Sequence, residues 1–124
     1  PFFTEYPYGV YIISRSHKQN LTQFNEREKD NLARTIRQTV GMLDSLFDKQ
    51  FPYMMCMHQD PVNSGDYSDI YHFHIEFFPP MRSAVKQKFN ASSETGAWAH
   101  CNPTAPEEKA EELRKAYRKF IDND

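Results

Sequence analysis

The chain has 124 residues, of which 39% are hydrophobic and 26% charged, with a formal net charge of -2. This length and composition predict one folded domain and exclude an intrinsically disordered chain. The slightly acidic balance argues against non-specific nucleic-acid binding, and no apolar run approaches the roughly 20 residues that span a bilayer.

The first half of the chain predicts a strand, a long helix and a second strand. Residues 8–14 are β-branched and aromatic, which indicates a strand. Asn25 and Glu28 form a capping box that begins a helix of roughly six turns, which ends before Phe51-Pro52. The apolar stripe of this helix, with three- and four-residue spacing, is Leu32, Ile36, Val40, Leu43 and Phe47. The continuous apolar run over residues 53–57 predicts a second strand buried on both faces.

The second half predicts another strand and a closing helix. A polar loop over residues 59–69 leads to a strand within residues 71–80. Residues 81–103 show little periodicity. The sequence 104–107 then begins a last helix by a side-chain cap. The apolar face of that helix is Ala110, Leu113, Ala116, Tyr117 and Phe120. The predicted class is α+β, an antiparallel sheet carrying helices.

The strand within residues 71–80, Tyr-His-Phe-His-Ile-Glu-Phe-Phe-Pro-Pro, has the clearest chemical pattern in the chain. Strict alternation sends His72, His74 and Glu76 to one face of the sheet. The other face is apolar and carries Tyr71, Phe73, Ile75 and Phe77. Such a strand packs one face on a core and presents imidazole and carboxylate groups on the other.

His58 ends the preceding strand and can join these three polar side chains. Neutral imidazoles and a carboxylate, presented by two adjacent strands, suit a site for zinc or ferrous iron. Two alternatives stay open: ordinary hydrogen-bonded histidines, and acid–base or nucleophilic chemistry in phosphoryl or nucleotidyl transfer. As a nucleophile's site the strand is incomplete, because Glu76 stands where a third histidine would complete a triad. The register between the two strands, and with it the ligand set, is left open.

Cations and hydroxyls cluster in the segment after Pro80. Such a segment suits phosphate recognition, with lysine as a point charge, or is simply a solvated basic loop. The residues concerned are Arg82, Ser83, Lys86, Lys88, Ser92 and Ser93. Glu94 either accepts hydrogen bonds from sugar hydroxyls or faces water. His17 and His100 have no identifiable partner and are expected at the surface or in packing, and Trp98 is expected in core or rim packing.

In their order and spacing, these motifs resemble the C-terminal half of the galactose-1-phosphate uridylyltransferase family, in the histidine-triad superfamily. The resemblance spans almost all of the chain and implies a single domain over residues 1–124, with a histidine-triad-like sheet and helices packed on it. The motifs that carry it are Phe51-Pro52-Tyr53-Met54 leading to His58, His74-Ile75-Glu76-Phe77-Phe78-Pro79-Pro80, Arg82-Ser83-Ala84, Lys88-Phe89 with Glu94, and Pro106-Glu107-Glu108.

The resemblance implies a transferase reaction. In this family a histidine of an H-P-H-x-Q type motif attacks the α-phosphorus of UDP-glucose, and the uridylylated histidine then passes UMP to galactose 1-phosphate. The chain contains no His-Pro-His. The resemblance therefore implies that the nucleophile belongs to an absent N-terminal half, that the chain alone is inactive, and that the enzyme is a homodimer. The start at Pro1 rather than Met also leads us to expect a piece of a longer protein.

The resemblance further implies two sets of site residues. A structural zinc or iron site, completed by a glutamate from the missing half, corresponds to His58, His74 and Glu76, with His72 as an alternative ligand. The family more often has histidine where Glu76 stands. A hexose-phosphate segment, which reaches the neighbouring subunit, corresponds to Lys88, Phe89, Ser93 and Glu94. Here the usual Val-Gly-Tyr of that segment is replaced by Ala91-Ser92-Ser93.

Two alternative functions stay open beside this one. The first is a related nucleotide phosphorylase or hydrolase of the same architecture. The second is a non-catalytic metal-binding or dimerisation module. The two cysteines do not form a disulfide framework, and Cys56, between two methionines, is expected to be a buried packing residue in a reducing, cytoplasmic protein.

Overall fold

The computed structural model of the protein describes residues 1–63 and 65–124, so residue 64 of the predicted polar loop lies outside the described residues. The α+β class is confirmed: three strands form one antiparallel sheet in the order β1-β3-β2. In chain order the elements are β1 (Val10–Ile13), α1 (Glu26–Ser45), β2 (Met54–His58), β3 (His74–Phe78), α2 (Ser92–Ala97) and α3 (Pro106–Asp122). Among the described residues, no helix is both long and apolar enough to cross a membrane.

The hydrophobic core lies between one face of this sheet and the two long helices. Phe73, Ile75 and Phe77 point into the core, and each is at most 1% exposed. Leu43 of α1 is fully buried against them, and Leu113 of α3 packs at the margin of the same cluster. The predicted alternation along β3 is therefore confirmed, and it leaves His74 and Glu76 on the face opposite the helices.

The predicted start of α1 is also confirmed. The Asn25 side chain accepts a hydrogen bond from the Glu28 N–H, and the Glu28 side chain accepts one from the Asn25 N–H, both at 2.9 Å. These two bonds satisfy backbone donors that the first turn of a helix otherwise leaves free. The helix ends at Ser45, and the Phe51 N–H then donates to the Asp44 carboxylate at 2.7 Å, which ties the following segment back to the last turn.

The prediction that β2 is buried on both faces is wrong. Met54, Met55 and Met57 are 52%, 39% and 44% exposed, and Cys56 is exposed rather than buried. Among the described residues β2 pairs only with β3, so it lies at one edge of the sheet and beyond the cover of the helices. A short apolar run does not reveal whether a strand is central or at an edge, which is why the sequence misled.

Two details of the C-terminal part differ from prediction. The short helix α2 was not expected within residues 81–103. Helix α3 begins as predicted but without a side-chain cap: Ala105 is its N-cap residue and Pro106 its first residue. The Thr104 hydroxyl instead donates to the Asn102 side chain at 2.6 Å. Proline suits the first helical position because its missing N–H would have had no partner there.

Gly41 of α1 lies against Phe120 of α3, so a Cβ atom at residue 41 would lie 2.3 Å from Cε2 of Phe120. We expect Gly41→Ala to destabilise the protein by about 1 kcal/mol, because overpacking costs about 1–3 kcal/mol and the better helix propensity of alanine returns up to about 1 kcal/mol. In a Phe120→Ala background the ring is gone, so the same substitution should stabilise. Urea unfolding of the four proteins measures this cycle, and an equal loss in both backgrounds would contradict the contact.

Candidate functional site

Three polar side chains converge on the face of the sheet that is turned away from the helices. One ligand atom each from His58, His74 and Glu76 lies within 4.8 Å of the others. Oε1 of Glu76 is 3.1 Å from Nε2 of His74 and 3.8 Å from Nε2 of His58. His58 lies directly opposite His74 in the ladder between β2 and β3, which settles the register that the sequence left open.

The hydrogen bonding of His74 leaves a lone pair facing the carboxylate. Nδ1 of His74 lies 2.8 Å from the backbone carbonyl oxygen of His72. Because a carbonyl only accepts, Nδ1 must carry the proton, and in the neutral imidazole Nε2 is then an acceptor. Its lone pair points at Oε1 of Glu76, also an acceptor, and two such groups attract each other only through a shared proton or cation.

His58 adds a ring nitrogen that has no hydrogen-bond partner among the described residues. Its Nε2 atom is buried, and among residues 1–63 and 65–124 no group makes a hydrogen bond to it. Buried polar atoms are nearly always satisfied, so such an atom indicates a missing binding partner. Two imidazoles and one carboxylate are ligands that zinc and ferrous iron accept. The donor set therefore fits a metal ion, with His58, His74 and Glu76 as the ligands this chain would provide.

The structure does not bring His72 into this cluster. Nε2 of His72 lies 2.8 Å from the carbonyl oxygen of Ser14 and 2.9 Å from the Ser14 hydroxyl, and its ring packs against His17. Residue 72 precedes β3, which begins at His74, so the alternation of the strand does not extend to it. Of the four predicted ligand candidates, the structure gathers three.

The two remaining histidines are exposed, as expected, and each has a partner. Nε2 of His17 contacts the carbonyl oxygen of Tyr71. Nδ1 of His100 lies 3.3 Å from the Glu5 carboxylate. Both contacts join segments that are distant in sequence, and neither includes a residue of the cluster.

Tyr11 also contacts the cluster, and sequence reasoning missed it. Its ring stacks on the imidazole of His74 with centroids 6.0 Å apart. The imidazole of His58 also stacks on that of His74, with centroids 4.7 Å apart. Burial, followed by the neighbouring Glu76 carboxylate, raises the pKa of Tyr11. β1 is apolar on both faces, so its pattern did not reveal which residues turn away from the core. The antiparallel pairing with β3 would have been needed to find Tyr11.

The predicted substrate segment is built around a buried ion pair. Nζ of Lys88 lies 2.8 Å from the Glu94 carboxylate, and each side chain is only 5% exposed. Glu94 also accepts hydrogen bonds from the N–H groups of Ala91 and Cys101, at 2.9 and 3.4 Å. The Lys88 ammonium, followed by these backbone donors, lowers the pKa of Glu94 to about 2. Glu94 therefore does not face water, in contrast to one of the two expectations from sequence.

The residues around this pair divide into buried and projecting groups. Lys88 lies over the ring of Tyr6, and that ring packs on Phe78 at the end of β3, so the pair is tied to the sheet. Phe89 is 76% exposed, and Trp98, expected in packing, is 85% exposed. Trp98 ends α2 with a φ of 54°, a left-handed conformation that costs a residue other than glycine about 1–2 kcal/mol.

The other hydroxyls and cations of the segment lie apart from the pair or at its margin. The hydroxyl of Ser93 lies 3.3 Å from the Glu94 carboxylate and 3.6 Å from the Cys101 sulfur. The N–H of Arg82 donates to the Lys86 carbonyl at 2.9 Å, and the N–H of Lys86 donates to the Ser83 hydroxyl at 3.2 Å. Only Lys88 of the three predicted cations is buried in this segment, and the side chains of Arg82 and Lys86 are exposed.

Comparison with known proteins gives this arrangement a family. The sequence model described as galactose-1-phosphate uridyl transferase, C-terminal domain, matches residues 1–120. The chain belongs to this family. Curated relatives within the galactose-1-phosphate uridylyltransferases include the Thermotoga maritima protein, 44% identical over 93% of this chain and 36% of its own length. The Saccharomyces cerevisiae protein is 35% identical over 92% of this chain and 31% of its own length. The chain thus spans about a third of the length of these relatives.

Solved structures agree with the family assignment and with the predicted histidine-triad architecture. A uridylyltransferase mutant superposes with a TM-score of 0.85 at 31% identity, covering 96% of this chain and 39% of that one. A zinc-bound histidine triad family protein from Mycobacterium smegmatis superposes with a TM-score of 0.60 at 16% identity, covering 100% of this chain and 78% of that one. The second likeness concerns the fold alone.

Proposed function

We propose that this chain is the C-terminal domain of a UDP-glucose–hexose-1-phosphate uridylyltransferase of galactose metabolism. The observation that carries the proposal is the family match over residues 1–120, together with 44% identity to a Thermotoga maritima protein of that name. In the proposed reaction a histidine nitrogen attacks the α-phosphorus of UDP-glucose, and the bond to glucose 1-phosphate breaks. The histidine-bound UMP is then transferred to a phosphate oxygen of galactose 1-phosphate.

The nucleophile in this proposal lies on another segment of the full protein. The 124 residues contain no His-Pro-His, and the polar face of β3 presents Glu76 where a third histidine would stand. We therefore assign the chain supporting roles: it provides a metal centre and a substrate segment, while an N-terminal half performs the group transfer. Galactose 1-phosphate, UDP-glucose and that N-terminal half are the proposed partners.

The metal centre of the proposal holds zinc or iron on His58, His74 and Glu76. Its support is the convergence of their ligand atoms within 4.8 Å and the unpartnered, buried Nε2 of His58. When bound, the ion would act as a structural cross-link between two strands. The residues of this chain fix its place: His58 at the end of β2, and His74 and Glu76 at alternate positions of β3. A fourth ligand from the rest of the protein would complete a tetrahedron.

The substrate segment of the proposal is formed by Lys88, Phe89, Ser93 and Glu94, and it serves the neighbouring subunit of a homodimer. The buried pair of Lys88 and Glu94 supports this role by fixing both ends of the segment. Between the two partners Phe89 projects with 76% of its surface exposed, as a residue that reaches another surface does. Two exposed free thiols, Cys56 and Cys101, fit a reducing compartment, and we propose the cytoplasm.

A uridylyl-transfer assay tests this division of labour. The 124-residue chain alone should produce no UDP-galactose from UDP-glucose and galactose 1-phosphate, whereas the full-length protein should. The same assay with orthophosphate or water in place of galactose 1-phosphate tests the phosphorylase and hydrolase alternatives, for which the full-length protein should show lower rates. Turnover by the chain alone would overturn the division, and a preference of the full-length protein for orthophosphate would overturn the assigned reaction.

A further inference from the structure

Three rings stack across the full width of the sheet at the candidate metal centre. The imidazoles of His58 and His74 are nearly parallel, with an interplanar angle of 12° and centroids 4.7 Å apart. The phenol ring of Tyr11 is nearly parallel to His74 as well, at 17° and 6.0 Å. Because each ring comes from a different strand, the plane of His74 is fixed by contacts from both neighbouring strands.

The same tyrosine stands directly across the ladder from the carboxylate of the cluster. In the antiparallel pairing of β1 with β3, Tyr11 is opposite Glu76, so the two side chains leave the same face of the sheet. Directly opposed side chains have Cβ atoms about 4.5–5.5 Å apart, within reach of a phenol and a carboxylate. Oε1 of Glu76 is turned towards the histidines, 3.1 Å from Nε2 of His74 and 3.8 Å from Nε2 of His58. Because a carboxylate only accepts hydrogen bonds, the phenol hydroxyl of Tyr11 is the donor in any bond between the two residues.

We propose that Tyr11 is a positioning residue of the metal centre: its hydroxyl holds the Glu76 carboxylate towards His58 and His74, and its ring fixes the plane of His74. This inference rests on the metal site proposed above. Glutamate has three side-chain torsions, so an unrestrained Glu76 would sample orientations in which its oxygens point to solvent. A hydrogen bond to a ligating carboxylate removes that freedom, and the loss of such a bond typically weakens metal affinity 10–100-fold.

The role is chemical rather than a matter of packing alone, and this distinction can be tested. A tyrosine that only covered the sheet would be replaced without cost by phenylalanine, which keeps the ring and the stack on His74. Replacing a positioning tyrosine by phenylalanine would weaken metal binding, because the effect of the tyrosine on Glu76 depends on the hydroxyl. Leucine would remove both contributions. Two substitutions at one position therefore separate the hydroxyl from the ring.

The experiment measures the affinity of the protein for zinc by competition against cobalt(II), whose visible absorption reports the geometry of its ligands. Tyr11→Phe should weaken zinc binding by about 10-fold and alter the cobalt spectrum, and Tyr11→Leu should weaken it further. Tyr67→Phe is the matched control, because Tyr67 lies in the loop after β2 with 40% of its surface exposed. Thermal unfolding of the metal-free proteins checks that all of them fold.

The outcomes distinguish this inference from the proposal on which it rests. Wild-type protein that binds zinc, with Tyr11→Phe matching it in affinity and spectrum, would overturn the role of Tyr11 and leave the metal centre standing. Wild-type protein that binds neither ion would overturn both. A loss of thermal stability in metal-free Tyr11→Phe, with affinity and spectrum unchanged, would assign Tyr11 to packing and also overturn the inference.

Discussion

Replacing His74 with alanine should abolish stoichiometric zinc or iron binding by this protein. His74 is the centre of the cluster: its Nε2 lies 3.1 Å from Glu76, its ring stacks on His58, and Nδ1 is held by a backbone carbonyl. The loss of a metal ligand should weaken the metal affinity by more than the 10–100-fold that is typical for the loss of a hydrogen bond to a ligand. Elemental analysis of the purified protein measures its zinc and iron content. Added zinc, at about 100 times its Kd, should raise the free energy of unfolding of the wild type by about 2.7 kcal/mol and that of the variant hardly at all.

Alanine variants of the other histidines supply the controls for this experiment. His100→Ala removes an exposed imidazole paired with Glu5 and should retain the metal. His72→Ala is sharper, because the alternation of the sequence places His72 on the same face as His74, whereas the structure turns it to Ser14. It should also retain the metal. Retention by His74→Ala together with loss in His72→Ala would contradict the cluster and favour the ligand set that includes His72.

Replacing Lys88 with methionine should destabilise the protein markedly at neutral pH. Methionine fills a similar volume, but it leaves the Glu94 carboxylate buried without its cation, and an uncompensated buried charge is costly. Two backbone N–H groups still donate to Glu94, so the fold should survive. The shift in the thermal unfolding midpoint measures the effect. Lys86→Met is the matched control, since the side chain of Lys86 is exposed and, among the described residues, only its backbone makes hydrogen bonds.

The same variant should also change how stability depends on pH. The pKa of Glu94 is lowered from its ordinary value of 4.5 to about 2, so ionised Glu94 stabilises the wild type above about pH 4.5, and this contribution is lost as the pH falls towards 2. Without Lys88 the pKa of Glu94 should rise, and acid should then remove the penalty of the buried charge. The difference in unfolding midpoint between the wild type and Lys88→Met should therefore shrink on acidification. A difference that is constant down to about pH 2 would show that the pair does not stabilise by charge.

The parts of the fold that the sequence predicted are those with a strict period or a defined local motif. The alternation along residues 73–77 decided which face of β3 is buried, and the capping box at Asn25 located the start of α1 to the residue. The part that failed was β2, because an apolar run carries no information on whether another strand lies beside it. Helix α2 was missed for a related reason: six residues complete too few turns to show a period.

The candidate site divides in the same way between local and long-range information. The spacing of His74 and Glu76 predicts a common face, and His58 was expected beside them on a neighbouring strand. Tyr11 comes from β1, far away in the chain, and only the pairing of β1 with β3 puts it opposite Glu76. The burial of Glu94 was equally hidden, since its donors lie on both sides of α2 and act only once that turn has folded.

The single indole of the chain has a practical consequence for all of these measurements. Trp98 ends the helix that carries Glu94, and its side chain is exposed. The backbone N–H of Trp98 donates to the backbone carbonyl oxygen of Glu94 at 3.1 Å. Fluorescence excited selectively in that residue will therefore report the segment around α2, while far-ultraviolet circular dichroism reports the helices packed on the sheet. If the two signals give different unfolding curves, the segment around α2 opens before the core does, and the emission maximum becomes a local reporter of Lys88 and Glu94.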